Sequence, residues 1–224
     1  MLTALGVTAG WVPGRPVLRD VELTVREGEV LGLQGPSGCG KSTLARVLAL
    51  LHRPDAGTVC IDGTTVPGFR HAAPRALRTR IGVLFQQPRL SVDPRLTLRQ
   101  VIAEPLLANG LRGQVRDRLP GLVETVGLTA ELLTRRAHAV SDGQLQRACL
   151  ARALALRPRY LICDEMTTML DASSTATLVH AVQEYRRRER AGVLAISHDD
   201  TLLGHWADRI EQLPGPAAAS AQGP

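Results

Sequence analysis

The chain has 224 residues, with 27 Lys and Arg against 21 Asp and Glu, a net charge of +6 and 44% hydrophobic residues. That length allows one domain, or one domain with an attached lobe, and a core of ordinary size, while the composition excludes disordered, collagen-like and disulfide-scaffold classes. No stretch approaches the ~20 uninterrupted apolar residues of a membrane span, and no basic segment leads into an apolar run at the amino terminus, so the chain is expected to stay in the cytoplasm.

Val21, Leu23 and Val25 alternate with Glu22, Thr24 and Arg26, the period of two that marks a half-buried strand. Val30 to Leu33 is a short apolar run that leads through a glycine-rich stretch into an apolar helix expected over Leu44 to Leu51. Asp62-Gly63, between Thr58 and Val66, signals a hairpin, so antiparallel strands are predicted in the first part. Ile81 to Phe85, Tyr160 to Cys163 and Val193 to Ile196 share the character of Val30 to Leu33 and read as parallel strands buried on both faces. Between the second and third of these four, roughly Leu96 to Leu156 has helical spacing with Pro105, Gly110, Gly113, Pro120, Gly121 and Gly127 as breakers, and reads as an inserted helical lobe.

A stripe at Leu178, Val179, Val182 and Tyr185 runs into Arg186 to Arg190, a solvated helix end. With aromatic residues at 3% there are few platforms on which bases could stack, and no nucleic-acid partner is expected. Cys39, Cys60, Cys149 and Cys163 show no C-x-x-C spacing and read as small buried apolar residues. Residues 214–224, rich in Pro, Gly, Ala and Ser, have too little to bury and are expected to be a disordered tail.

Two segments carry chemistry. Gly35-Pro36-Ser37-Gly38-Cys39-Gly40-Lys41-Ser42 fits G-x-x-x-x-G-K-[ST] between a strand and a helix, a loop whose N–H groups cradle phosphates. Lys41 is the only lysine in the chain, a compact point charge where arginine's planar fork would not serve, and it would reach the β- and γ-phosphates. Ser42 would hold Mg²⁺, and Thr43 follows as part of the nucleotide site. At the end of a buried strand, Asp164 would assist Mg²⁺, and Glu165 would orient or deprotonate the attacking water.

With Ser141-Asp142-Gly143-Gln144-Leu145-Gln146-Arg147 between these segments, residues 2–213 resemble the nucleotide-binding subunit of an ABC transporter. The resemblance implies an α/β P-loop NTPase fold: a RecA-like, mostly parallel sheet, an N-terminal antiparallel β subdomain and an α-helical subdomain inserted at about 88–156. It implies that Gln86 is the Q-loop glutamine and a metal ligand, that Asp171 belongs to the D-loop, that His198 is the switch histidine, and that Trp11 stacks on adenine. A core tryptophan is the other reading of Trp11, and the remaining five histidines read as surface residues. Phe85-Gln86-Gln87-Pro88 and Ser91 to Leu98 are similar to the peptide and nickel importer branch, and Met166 after the acidic pair is similar to the second of that branch's two paired ATPases.

From the resemblance follow ATP and Mg²⁺ as ligands, a second ATPase subunit in a head-to-tail dimer, transmembrane permease subunits, indirectly a solute-binding protein, and a place on the cytoplasmic face of the membrane. No carboxyl-terminal regulatory domain is expected. Ser141, Asp142, Gly143 and Gln144 would face the partner's ATP, where Asp142 replaces a glycine of the family pattern and brings a carboxylate toward phosphate. At ~4 Å and an effective dielectric of ~20 the repulsion is about 4 kcal/mol, so either its side chain points away or the site it completes is weak. Alternatives are a low-turnover regulatory half of a heterodimer and a non-transport ATPase acting on nucleic acid. Against the latter, the stretch from Gln86 to Ser141 is too short for coiled-coil arms.

Overall fold

The structure, a computed structural model, describes residues 1–168 and 170–215. It begins with an antiparallel pair, β1 (Leu2–Val12) and β2 (Arg15–Val25), followed by β3 (Val30–Gln34) and helix α1 (Lys41–Leu48). The hairpin β4 (Ala56–Ile61) and β5 (Thr64–Thr65), the single turn α2 (Arg75–Arg78) and β6 (Ile81–Leu84) come next. Helices α3 (Leu98–Ala108), α4 (Val115–Thr125) and α5 (Asp142–Leu154) precede β7 (Tyr160–Asp164). Helix α6 (Ala172–Glu189), β8 (Gly192–Ile196), α7 (Asp200–Trp206) and β9 (Arg209–Gln212) complete the order. The strands form two sheets, β2-β1-β4-β5 antiparallel and β6-β7-β8-β3-β9 parallel.

Three of the four apolar runs become β3, β7 and β8, the interior strands of the parallel sheet with both faces covered. The run expected to be buried on both faces at Ile81 to Phe85 instead forms the edge strand β6, in which Ile81 and Val83 are only partly buried because no strand lies beyond it. Val30, Leu161, Val193 and Ala195 pack with α3 to α7, whereas Leu31, Ile162, Leu194 and Ile196 pack with α1 and the antiparallel sheet. Alternation by hydropathy is therefore lost in these strands, as expected when each side faces a core. Asp62 and Gly63, at φ 52° and 77°, turn the β4–β5 hairpin where the sequence signals it.

Several expectations need correction. The helix placed at Leu44 to Leu51 starts at Lys41 and ends at Leu48, with Leu50 at φ 62°. Pro105 and Pro120 do not break helices but sit inside α3 and α4, where the buried Leu98, Val101, Ile102 and Leu106 on one helix and Leu119 and Val123 on the other outweigh a lost N–H bond. The stops are Gly110 and Gly127, both left-handed, at φ 71° and 63°. Strand β1 escapes pattern reading because a bulge at Gly6, φ 59°, shifts its buried set from Leu2 and Ala4 to Val7 and Ala9. Strand β9 is a polar edge without an apolar run. Cys39, Cys149 and Cys163 are buried as expected, but Cys60 is only partly so. The tail placed at 214–224 lies, from residue 216 onward, outside the described residues.

One polar cluster joins the two sheets. The Asp62 carboxylate accepts from the Met1 amino group at 3.0 Å, Arg80 at 2.8 Å, Arg159 at 2.9 Å and the Tyr160 hydroxyl at 2.5 Å. Burial pushes its pKa up, but the Tyr160 hydroxyl, the Met1 amino group and Arg159 outweigh this and hold it below the ordinary aspartate value of 3.8. A carboxyl whose folded pKa is depressed contributes stability above its unfolded pKa and loses it as pH falls toward the folded one. Asp62→Asn should therefore cost about 1–2 kcal/mol in urea unfolding near neutral pH. The gap to wild type should narrow as pH is lowered below 3.8.

Candidate functional site

The glycine-rich loop leaves β3 and closes onto α1. Gly40 precedes the helix at φ 105°, and a Cβ there would come within 2.5 Å of Leu18 Cδ2. A Cβ on Gly35 would meet the Leu213 carbonyl oxygen at 2.5 Å, so both positions require glycine. Pro36, Ser37 and Gly38 are exposed, while Cys39 buries its thiol and donates its N–H to the Pro36 carbonyl at 3.3 Å. Lys41 is buried in the hollow, its ammonium donating to the carbonyls of Gly35 at 2.6 Å and Pro36 at 3.1 Å. Those are positions that phosphate oxygens would take over, since an ammonium pairs more strongly with an anion than with a neutral carbonyl.

Across the loop mouth, Ser42 Oγ donates to Asp164 Oδ1 at 3.1 Å. Asp164 is buried; that burial and the neighbouring Glu165 push its pKa up, against the Ser42 hydroxyl, Arg46 and Lys41. Its neighbour Glu165 takes a left-handed backbone at φ 48°, with its N–H donated to the Ile196 carbonyl at 3.0 Å. Gln86 Nε2 donates to Glu165 Oε2 at 2.8 Å, and His198 Nδ1 lies 3.8 Å from the same oxygen. Three loops, after β6, β7 and β8, thus converge on one carboxylate, beside a cleft of ≈ 440 Å³ lined by Ser42, Phe85, Gln86 and Asp164.

The Ser42 hydroxyl and the buried Asp164 carboxylate bring hard oxygen donors together, with the Gln86 side chain lining the same cleft, a donor chemistry that suits Mg²⁺.

Trp11 is 54% exposed, which removes the core-tryptophan reading. Its indole N–H donates to Thr43 Oγ1 at 3.1 Å, its ring lies 4.4 Å from that of His52, and the Arg46 guanidinium sits 5.2 Å above it. His52 is therefore not a plain surface histidine, because it is half-buried against Trp11.

The segment 141–144 makes no hydrogen bond or ion pair with 35–43 among the described residues. Ser141 caps α5, accepting from the Gln144 N–H at 3.2 Å while Gln144 Oε1 accepts from the Ser141 N–H at 3.1 Å. That helix begins at Asp142. Gly143 leaves only 3.0 Å between a hypothetical Cβ and Ser174 Oγ of α6. Asp171 caps α6; its pKa is held well below the usual carboxylate range by the Ser173 hydroxyl and by the N–H and hydroxyl of Ser174.

Asp142 is not bare. Arg89 Nε lies 2.7 Å from its Oδ1, and the same guanidinium donates to the carbonyls of Ala137 at 3.3 Å and Val140 at 2.9 Å. The partner that offsets Asp142 thus comes from the segment after Gln86, a connection that only an oddly placed arginine beside Pro88 could have signalled. Gln146, buried, is a second unforeseen link, donating to the carbonyls of Phe85 at 3.0 Å and Met166 at 3.1 Å.

A profile of the family described as "ABC transporter" matches residues 18–168. The chain belongs to the ABC transporter family. It is 38% identical to the oligopeptide transport ATP-binding protein OppF of Escherichia coli over 89% of this chain and 61% of that one. A probable peptide ABC transporter ATP-binding protein of Sinorhizobium fredii is 38% identical over 91% of this chain and 60% of its own length. The nickel import ATP-binding protein NikE of Rhodospirillum rubrum is 37% identical over 90% and 73%. The chain therefore spans about three fifths of the length of these peptide-transport relatives. The ATP-binding cassette MJ0796, solved as a dimer in a post-hydrolysis state with ADP and Pi, superposes with a TM-score of 0.84 at 25% identity over 96% of each chain. This ABC cassette has the α/β fold of its solved relatives, and among its described residues no helix is long and apolar enough to cross a membrane.

Because Arg89 ties the segment before α5 to the loop after β6, its removal should loosen that segment first. In Arg89→Ala, amide hydrogen exchange over residues 137–145 is expected to rise about fivefold, the worth of ~1 kcal/mol of local opening. Exchange in β7 and β8 should stay unchanged.

Proposed function

We propose that this ABC cassette is an ATP-hydrolysing subunit of a transporter that imports a peptide- or nickel-type solute. The observation that carries this reading is the meeting of Lys41, Ser42, Asp164, Gln86, Glu165 and His198 at the mouth of one phosphate loop. In this reading the free N–H groups at the start of α1 and the Lys41 ammonium bind the phosphates, Lys41 leaving the Gly35 and Pro36 carbonyls to do so. Ser42, Asp164 and Gln86 would hold Mg²⁺, which when bound neutralises phosphate charge that builds up during transfer.

Glu165 orients the attacking water and accepts its proton, held in place by the Gln86 amide. His198, close to the same carboxylate, would reach the γ-phosphate and tie the end of β8 to the reaction. The dimeric relatives support a partner cassette; in this reading it binds head to tail and its residues equivalent to 141–144 complete the site. The names of the relatives support peptide or nickel import; in this reading separate permease subunits hold the cassette at the cytoplasmic face of the membrane and a solute-binding protein acts indirectly.

A second reading, a nucleotide-binding half with slow turnover, is favoured by Asp142 alone. The Arg89 guanidinium weakens that case, because the charge facing the partner's phosphate is already offset.

The test is steady-state ATP hydrolysis by the purified chain against its own concentration with Mg²⁺, beside Glu165→Gln and Lys41→Ala. The rate of the wild-type chain should rise faster than linearly. Glu165→Gln should retain ATP binding and lose at least about a hundredfold in rate, whereas Lys41→Ala should lose binding itself. Equal rates for wild type and Glu165→Gln would remove the catalytic assignment and favour the slow-turnover half.

A further inference from the structure

We infer that Trp11 is a positioning residue for the phosphates: its indole N–H, donated to Thr43 Oγ1, leaves the Thr43 hydroxyl hydrogen free to be given to a nucleotide phosphate. The inference rests on the nucleotide reading above and deepens it, coupling the base platform to the phosphate loop through one hydrogen bond.

An indole nitrogen is a donor only, so the 3.1 Å contact runs in one direction, from Trp11 to Thr43. A threonine hydroxyl inside a helix commonly turns its hydrogen back to the carbonyl four residues earlier. Thr43 makes no such bond among the described residues; its one hydroxyl contact is the bond it accepts from Trp11. The hydrogen is therefore uncommitted, on a residue that is 6% exposed and follows Ser42 in the first turn of α1. A buried hydroxyl that has spent a lone pair and kept its hydrogen is prepared to donate, and the start of α1 is where anionic oxygens are favoured.

The ring is fixed as firmly as its N–H. His52 packs at 4.4 Å, and because the Gly10 carbonyl can only accept, the 2.9 Å contact to it puts the His52 hydrogen on Nε2. Arg46 sits 5.2 Å from the ring centroid. Thr43, Arg46 and His52 all lie on α1 or just after it, so Trp11, although it lies near the end of β1, travels with the helix that the phosphate loop opens. A half-exposed tryptophan held by three contacts on or just after one helix keeps surface for a base while its N–H serves the neighbouring site.

Phenylalanine at this position keeps an aromatic face and removes the donor, which separates the two roles. Calorimetric titration of the full chain with ATP and Mg²⁺ should show Trp11→Phe weakening binding about tenfold. In the Thr43→Val background the same change should cost only about twofold, the difference of about fivefold being the worth of one net hydrogen bond. Thr43→Ser, which retains the hydroxyl, should keep the full sensitivity to Trp11→Phe. Without nucleotide, the indole proton resonance of Trp11, assigned by its loss in Trp11→Phe, should move upfield in Thr43→Val.

Equal losses in the Thr43 and Thr43→Val chains, or an indole resonance that does not move, overturn the inference and leave the nucleotide reading standing. Wild-type affinity in Lys41→Ala, or no ATP binding by the wild-type chain, overturns the nucleotide reading and this inference with it.

Discussion

Everything at the site depends on parallel strands held in register and buried on both faces. Leu33 pairs with Ile196, Asp164 with Ile196 and Leu84 with Cys163, so β3, β6, β7 and β8 end at one level. Their next residues are the phosphate loop, Phe85-Gln86, Glu165 and Ser197-His198. Carboxyl ends of parallel strands are the natural place for a ligand, because the backbone there turns away from a sheet that can hold no polar group. A slip of one residue in β7 would turn Asp164 into the core and Cys163 toward the loop.

That arrangement concentrates unfavourable features in a small volume. Asp164 is a buried acid, Glu165 a non-glycine residue in the left-handed region, and Lys41 a buried cation satisfied by two main-chain carbonyls. None is a stabilising choice by itself. The surrounding sheet, with every residue of β7 and β8 buried, over-determines their geometry. The mouth of the loop is thus rigid at its base and polar at its rim, whereas the segment of Ser141 to Gln144 is held by caps and by one exposed arginine.

Arg89 and Gln146 connect these parts. Gln146 donates from α5 to main-chain oxygens on either side of the β6 and β7 ends, and Arg89 reaches from the loop after β6 to Asp142 and the turn before α5. The helical layer and the sheet edge are consequently mechanically linked through Gln86's neighbourhood. Neither residue falls in the phosphate-loop or acidic-pair motif, and their importance arises from what they touch.

Motif spacing and continuous apolar runs made the phosphate loop, the acidic pair and the parallel strands legible, because each is a local requirement: glycine where a Cβ collides, lysine for a point charge, aliphatic residues where both faces are covered. The bulged β1, the polar edge β9 and the continuation of α3 and α4 through Pro105 and Pro120 were not legible, since a bulge breaks the period of two and packing overrides helix-breaking. Tertiary structure alone decided that Asp142 is offset by Arg89, that Trp11 packs against His52 and near the Arg46 guanidinium of α1, and that Gln86 and His198 meet at Glu165. Those are contacts between residues distant in the chain, set by how strands and helices pack, and no local pattern carries the coordinates of a partner.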